Sequence, residues 1–392
     1  MKTSILFIDN DEKTIKELVR NVVPLQDDYD VFFAENGERG LQILANNKID
    51  IVFSSTNITL PSGSNILKEI KRLFPEVIRF GLVSSVEAQN VAPLSQYVHQ
   101  FVPPPYTAGN IRERIERTLH LQSILKNEKV KELVQNTTSL PSLPELYIQI
   151  EQEISKPDFS LNKIGNLISK DPNLTAKILQ IVNSAHFGLQ REVTNINYAL
   201  SYLGVNVIKS LIFYIHLFSN FKVTPENRKY LEQFWQHSLV VGSNSLHTAQ
   251  KFFSDKAFTD MAYTAGVLHD VGKFVLLNTY TYPQNVIVLS EQKGYYNLDA
   301  EFEIYQCTHA EIGAYLLGLW GFPLTIVEAV AYHHNPSQLN KSAVNLATIL
   351  HIADFIQYSP RIDVQHILEV GIEKEIFELH QLIKNLRQMR RN

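Results

Sequence analysis

The feature that most constrains this chain is a change of hydrophobic period near residue 107. Before it, short apolar runs alternate with amphipathic helical patterns; after it, only the helical period remains. Residues 4–8, 31–34, 49–54, 79–83 and 100–102 read as strands, and 11–23, 37–46, 65–74 and 86–97 as the helices between them. Such alternation predicts a five-stranded parallel sheet covered by helices on both faces. At 392 residues the chain exceeds one ordinary core, so an all-helical domain is expected to follow.

Residues 107–135 carry Thr107 as an N-cap, with Ile111, Ile115, Leu119, Ile124 and Leu125 at near-helical spacing among charges. This predicts one long amphipathic linker helix, its charged face solvated or its apolar stripe a dimer seam. A homodimer through this helix or the first domain is therefore one expected assembly. Asn136-Thr137-Thr138-Ser139-Leu140-Pro141-Ser142-Leu143-Pro144 is a breaker-rich boundary. Beyond it, Pro157 and Pro172 mark helix starts, while Gly188 and Gly204 mark stops. A last amphipathic helix over 374–390 closes on Arg387, Arg390 and Arg391, where positive charge suits a helix C-terminus. The expected units are 1–106, a linker at 107–135, a helical domain at 136–362 and a C-terminal helix at 363–392.

Composition narrows the function classes. A net charge of -4 and a pI near 6.4 argue against general affinity for nucleic acid. No basic stripe with interleaved aromatics occurs outside the C-terminal cluster, so DNA binding is not expected. The single cysteine, Cys307, excludes an intramolecular disulfide and fits a reducing compartment. The apolar run after Met1 is too short for a signal peptide, and no apolar run of about 18 residues predicts a spanning helix. A cytoplasmic protein without membrane association is the expectation.

Within the first domain, Ile5-Leu6-Phe7-Ile8-Asp9-Asn10-Asp11-Glu12, Asp50-Ile51-Val52-Phe53-Ser54-Ser55, Leu60-Pro61-Ser62-Gly63 and Phe101-Val102-Pro103-Pro104-Pro105-Tyr106 together resemble a response-regulator receiver domain. The resemblance implies a flavodoxin-like fold and a phosphorelay role. That chemistry needs a strand-end aspartate as acceptor, acidic residues for Mg²⁺ and a lysine to neutralise the acyl phosphate. Asp9 and Asp11 keep part of the acidic cluster. The acceptor position falls on Ser55 or Asn57, the lysine position on Pro104, and the phosphate-sensing hydroxyl position on Val83 or Ser84. A domain so altered is expected to act as a pseudo-receiver, docking, dimerising or packing instead of cycling phosphate.

The second domain carries His269-Asp270-Val271-Gly272-Lys273 after an apolar run. Adjacent imidazole and carboxylate groups can serve one metal ion. His237 lies upstream, and His309, the pair His333-His334 and Asp354 follow. Any one of these histidines alone reads as a hydrogen-bonded core residue; the ordered set reads as ligands. The order is similar to that of the HD phosphohydrolase superfamily, whose members are all-helical bundles with ligands converging from different helices. The resemblance implies one or two divalent ions (Mn, Fe, Zn, Ni or Mg), with Asp270 as the bridge and Lys273 reaching a phosphate oxygen. His186, His216, His247, His351 and His366 are assigned to structure or surface, although His351 could face the same way as Asp354.

Ser139-Leu140-Pro141-Ser142-Leu143-Pro144, Ile168-Ser169-Lys170-Asp171-Pro172-Asn173-Leu174, Leu179-Gln180-Ile181-Val182-Asn183-Ser184-Ala185-His186-Phe187-Gly188 and Ala199-Leu200-Ser201-Tyr202-Leu203-Gly204 resemble the HDOD class, the output-domain relatives of HD phosphohydrolases. That resemblance spans roughly 134–360. After His334 the chain reads Asn335-Pro336-Ser337-Gln338, without the acidic residue and Gly-Tyr-Pro segment of the cyclic-dinucleotide phosphodiesterases in the superfamily. The expectation is a bacterial intracellular signalling protein acting by binding a protein partner or a nucleotide. The alternative is a metal-dependent phosphohydrolase using Asp270 and Lys273.

Overall fold

A computed structural model of the chain describes residues 2–22, 27–83, 94, 97–102, 104–124, 127–136, 144–156, 158–184, 187, 192–220, 227–278, 282, 284–294, 296–339, 343–357 and 362–375. They divide into two compact units, Met1–Gln149 with Gly318–Gly321, and Ile150–Leu317 with Phe322–Asn392.

In the first unit, β1 (Thr3–Ile8), β2 (Tyr29–Ala34), β3 (Ile51–Ser55), β4 (Ile78–Leu82) and β5 (Gln100–Val102) form one sheet in the order β2-β1-β3-β4-β5. Every pairing is parallel. This is the flavodoxin-like order, with its topological switch between β1 and β3. Helices α1 (Glu12–Val22), α2 (Gly37–Asn46) and α3 (Ile66–Leu73) lie where the pattern predicts them. Asn36 and Asn65 start α2 and α3 by accepting hydrogen bonds from Arg39 N and Leu67 N. The predicted helix over 86–97 lies, apart from Leu94 and Tyr97, outside the described residues.

Register gives the sheet two different faces. Phe7 stands opposite Phe33 and Phe53, and Phe53 opposite Phe80. Because side chains alternate along a strand, the four rings share one face and stack at centroid spacings of 5.5, 5.0 and 4.6 Å. Leu6, Ile8 and Val52 point the other way, into a cluster with Ile43, Leu44, Ile66, Leu67 and Ile70 from α2 and α3.

The expected single linker helix is two helices, α4 (Ala108–Ile124) and α5 (Glu128–Asn136). Thr107 Oγ1 accepts from Asn110 N at 3.2 Å, as an N-cap should, and Ile111 and Ile115 are fully buried. The interruption has a local cause. Asn127 Oδ1 accepts from Lys129 N at 3.0 Å, so this residue caps α5 and does not continue α4.

After α6 (Glu145–Ile154), the described residues of the second unit form helices and turns, among them α7 (Leu161–Ser169), α10 (Val205–Asn220) and α14 (Gln284–Lys293). Pro172 opens α8 (Pro172–Val182) behind an Asp171 cap, and Gly204, at φ 89°, ends α9 (Ile196–Leu203). Pro157 and Gly188 lie outside the described residues, as does the predicted helix over 374–390 beyond Glu375. Helices α11 (Arg228–Phe252) and α12 (Lys256–Leu268) pack with almost no space between them. A Cβ on Gly266 would sit 2.6 Å from Gly242 Cα. The turn after α12 is tighter still: a Cβ on Gly272, first residue of α13 (Gly272–Asn278), would fall 2.0 Å from His309 O and 2.6 Å from Gly313 N. Both neighbours are backbone of α16 (His309–Leu319), so only glycine allows the approach. No single described helix is long and apolar enough to cross a membrane.

Two outcomes follow. Phe53→Ala removes the middle of the aromatic ladder and should cost about 3–5 kcal/mol in a chemical-denaturation experiment that follows the sheet unit; a loss below about 1 kcal/mol would contradict the ladder's role. Gly272→Ala should force α13 and α16 apart and lower stability by about 1–3 kcal/mol or more. Unchanged thermal unfolding of that variant would contradict the close approach.

Candidate metal centre

Seven side chains meet inside the helical unit. His237 projects from α11, and His269 follows α12 directly as its C-cap residue. Asp270 occupies the turn into α13, and His309 opens α16. His333 and His334 follow α17 (Leu324–Ala331), and Asp354 projects from α18 (Leu346–Gln357). Three groups each have their nitrogen and oxygen donors within 4.8 Å of one another: His237, His269 and Asp354; His309, His333 and His334; and His269, Asp270 and His333. The third group joins the other two.

Asp270 sits where the clusters meet. Its Oδ2 is 3.5 Å from His237 Nε2 and 3.4 Å from His269 Nε2, and its Oδ1 is 3.2 Å from His309 Nε2. Each carboxylate oxygen thus faces a different cluster. Around them, His237 Nε2 lies 3.2 Å from Asp354 Oδ1 and 3.1 Å from His269 Nε2, and His334 Nε2 lies 3.0 Å from His309 Nε2. Lys273 Nζ donates to Asp270 Oδ2 at 2.6 Å.

Hydrogen bonds behind the rings fix which nitrogen faces inward. His269 Nδ1 lies 2.8 Å from Gly266 O, and His333 Nδ1 lies 2.7 Å from Val330 O. A carbonyl can only accept, so both Nδ1 atoms carry hydrogen and both Nε2 atoms present lone pairs. His309 Nδ1 donates at 2.7 Å to Glu301 Oε2, which also accepts from His309 N at 2.8 Å. The sequence reading did not find Glu301. It lies on α15 (Asn297–Tyr305), joined to α16 through Gln306 in a left-handed turn, and no regular spacing ties it to His309. His351 is buried with both nitrogens engaged, Nδ1 donating to His333 O and Nε2 accepting from Asp363 N. It buttresses the His333 backbone and is not a ligand. His366 pairs with Thr348 Oγ1 and His247 with Ser243 O, while His186 lies outside the described residues.

Charges in the pocket are settled by neighbours. Burial would raise the Asp270 carboxyl, but His269 and Lys273 hold it well below the usual carboxylate range. Asp354 is likewise held far down against burial by His237 and His269. Burial pushes His269 below and His333 well below the ordinary imidazole range, and burial with the His309 charge pushes His334 down to about 3. Burial would also depress His309, but the Glu301 carboxylate outweighs it and pushes His309 up to about 9.

The residues fit divalent ions. His333 Nε2 is buried without a hydrogen-bond partner, an arrangement that is costly unless something else satisfies it. The donors are imidazole nitrogen and carboxylate oxygen with no thiolate, a set suited to Mn, Fe, Zn or Ni more than to soft ions. His237, His334 and Lys273 are partly exposed and form the mouth, whereas His269, Asp270, His309, His333 and Asp354 are buried.

Among its described residues the first unit presents no such centre. Asp9 is buried, with Oδ1 accepting from Asp11 N at 2.9 Å, and Asp11 caps α1 by accepting from Thr14 N and Thr14 Oγ1. Ser55 closes β3, Asn57 lies two residues beyond it, and exposed Pro104 follows β5. Val83 is buried at the end of β4, and Ser84 is outside the described residues. Among the described residues, every group able to hold a metal lies in the helical unit.

Comparison with known proteins bears on the fold and the family. A family model for the HDOD domain matches residues 140–336, just over half of the chain. An uncharacterized protein of Treponema pallidum (strain Nichols) is 31% identical over 199 residues, 50% of this chain and 38% of that protein. The match thus spans well under half of that relative. An HDOD domain protein of unknown function from Geobacter sulfurreducens is similar in structure with a TM-score of 0.52, at 22% identity over 66% of this chain and 89% of that one. A protein from Shewanella amazonensis SB2B, provisionally named a phosphohydrolase, gives a TM-score of 0.51 at 23% identity over 65% of this chain and 93% of that one. At these identities the structural likeness concerns the fold alone. A receiver-like α/β domain joined to such a helical domain fits a signalling protein, and with its match over residues 140–336 the chain belongs to the HDOD domain family.

Proposed function

We propose that this bacterial signalling protein holds one or two divalent ions on the seven-residue centre and acts there as a phosphohydrolase on a phosphate ester. The observation that carries the reading is the Asp270 carboxylate, with one oxygen toward His237 and His269 and the other toward His309. The provisional name of the Shewanella protein supports the same class. Ions of the Mn, Fe, Zn, Ni or Mg class would supply Lewis acidity toward a phosphoryl oxygen.

The chain's own groups have separable tasks. His269 and His333 turn Nε2 inward because their Nδ1 hydrogens are committed to carbonyls, and the Glu301 carboxylate holds His309 in the same orientation. Lys273, a buried-stem ammonium at the mouth, neutralises charge on a phosphate oxygen. His237 and His334 flank the approach. The pseudo-receiver serves as a docking or dimerising module, because the residues at 55, 57 and 104 supply neither acceptor carboxylate nor ammonium.

One observation favours a second reading, binding of a nucleotide or protein partner without turnover. The Lys273 ammonium is hydrogen-bonded to Asp270 Oδ2, the oxygen facing His237 and His269, and competes with a cation for it.

The two readings separate in a direct assay. Protein purified without chelator, or reloaded with Mn²⁺ or Zn²⁺, should carry one or two ions and hydrolyse a simple aryl phosphodiester. Asp270→Ala should lose both properties, and Lys273→Ala should keep the metal while losing about 100-fold or more in turnover. Metal binding with no turnover across phosphomonoesters and phosphodiesters would leave only the second reading. Failure of every ion to load would remove the hydrolase altogether.

A further inference from the structure

Among the inward-facing histidines anchored through Nδ1, the groups behind the rings are not alike. His269 and His333 rest on carbonyls three residues earlier, Gly266 O and Val330 O, contacts internal to their own helix ends. His309 instead rests on a carboxylate brought from a different helix. Glu301 is fully buried, and both of its oxygens are used: Oε2 accepts from His309 N and Nδ1, and Oε1 accepts from Tyr282 OH at 2.8 Å. A carboxylate is costly to bury unless it is paired and hydrogen-bonded. Helix α15 needs no such group to form, so the placement of Glu301 points to His309.

We infer that Glu301, steadied by Tyr282, is a positioning residue that makes the His309, His333 and His334 cluster the more strongly ligating half of the centre. A carboxylate behind a ligating imidazole fixes its orientation and raises its basicity, which a peptide carbonyl does less well. Its loss should therefore weaken one ion selectively. The inference rests on the metal-binding reading but makes a narrower claim, that the two halves differ and that Glu301 is the cause.

The test uses the full chain. Zn²⁺ binding is measured by calorimetry, and the Co²⁺-loaded protein is compared by its visible absorption spectrum. In Glu301→Gln, which keeps the side-chain volume and removes the charge, the ion at His309 should bind about 10–100-fold more weakly, with an altered cobalt spectrum. The ion at His237, His269 and Asp354 should be unaffected. Made in a His237→Ala background, the same change should weaken the remaining ion, which locates the effect. Tyr282→Phe, which removes one hydrogen bond to Glu301, should shift the same ion in the same direction by less, and it decides the matter if Glu301→Gln does not fold. Wild-type protein that binds ions while both variants match its affinities and spectrum would overturn the positioning role and leave the metal centre standing. Wild-type protein that binds no ion would overturn both.

Discussion

The structure of the helical domain is organised around one buried carboxylate. Asp270 is held ionised inside the protein, a state that demands compensation on every side. Lys273 supplies it on one oxygen, and imidazoles approach both. The same demand explains the glycines nearby. Gly266 lets α12 lie against α11, and Gly272 lets α13 touch the backbone at His309, so that residues far apart in sequence reach Asp270 within about 3–4 Å. Helices that could not approach this closely would hold His237 and His309 away from the carboxylate.

The two domains treat their acidic residues in opposite ways. In the helical domain, Asp270, Glu301 and Asp354 are buried and pair with groups brought from other elements. In the sheet domain, Asp9 and Asp11 are spent on local turns: one accepts from the backbone of the other, and the second caps α1. The stacked phenylalanines and the parallel register keep the scaffold intact although the groups that would handle an acyl phosphate are missing. Fold and chemistry are thus separable here, as expected when sites are built on scaffolds of common type.

Much of this was legible in the chain itself. Alternating apolar runs located all five strands to within a few residues, because a strand buried on both faces has little freedom in composition. The seven residues that meet in the helical domain were legible as a set because their types and order resemble those of the HD superfamily. Other features were not. The break at Asn127 depends on one side chain choosing to cap a new helix, which a smooth apolar stripe conceals. Glu301 meets His309 only because Gln306 turns the chain in the left-handed conformation, and a long-range pairing of this kind leaves no period to read. His351, three residues before Asp354, has the spacing of a ligand but is consumed by the backbone of His333 and Asp363.

The central claim is that both oxygens of Asp270 serve cations. Crystals of the chain loaded with Mn²⁺ or Zn²⁺, with anomalous diffraction recorded on either side of the metal's absorption edge, test it most directly. A peak at about 2.0–2.2 Å from an Asp270 oxygen and from the Nε2 atoms of His269 or His309 is the predicted result. Anomalous maps without a peak there, with Lys273 still bound to Asp270 at saturating metal, would contradict it.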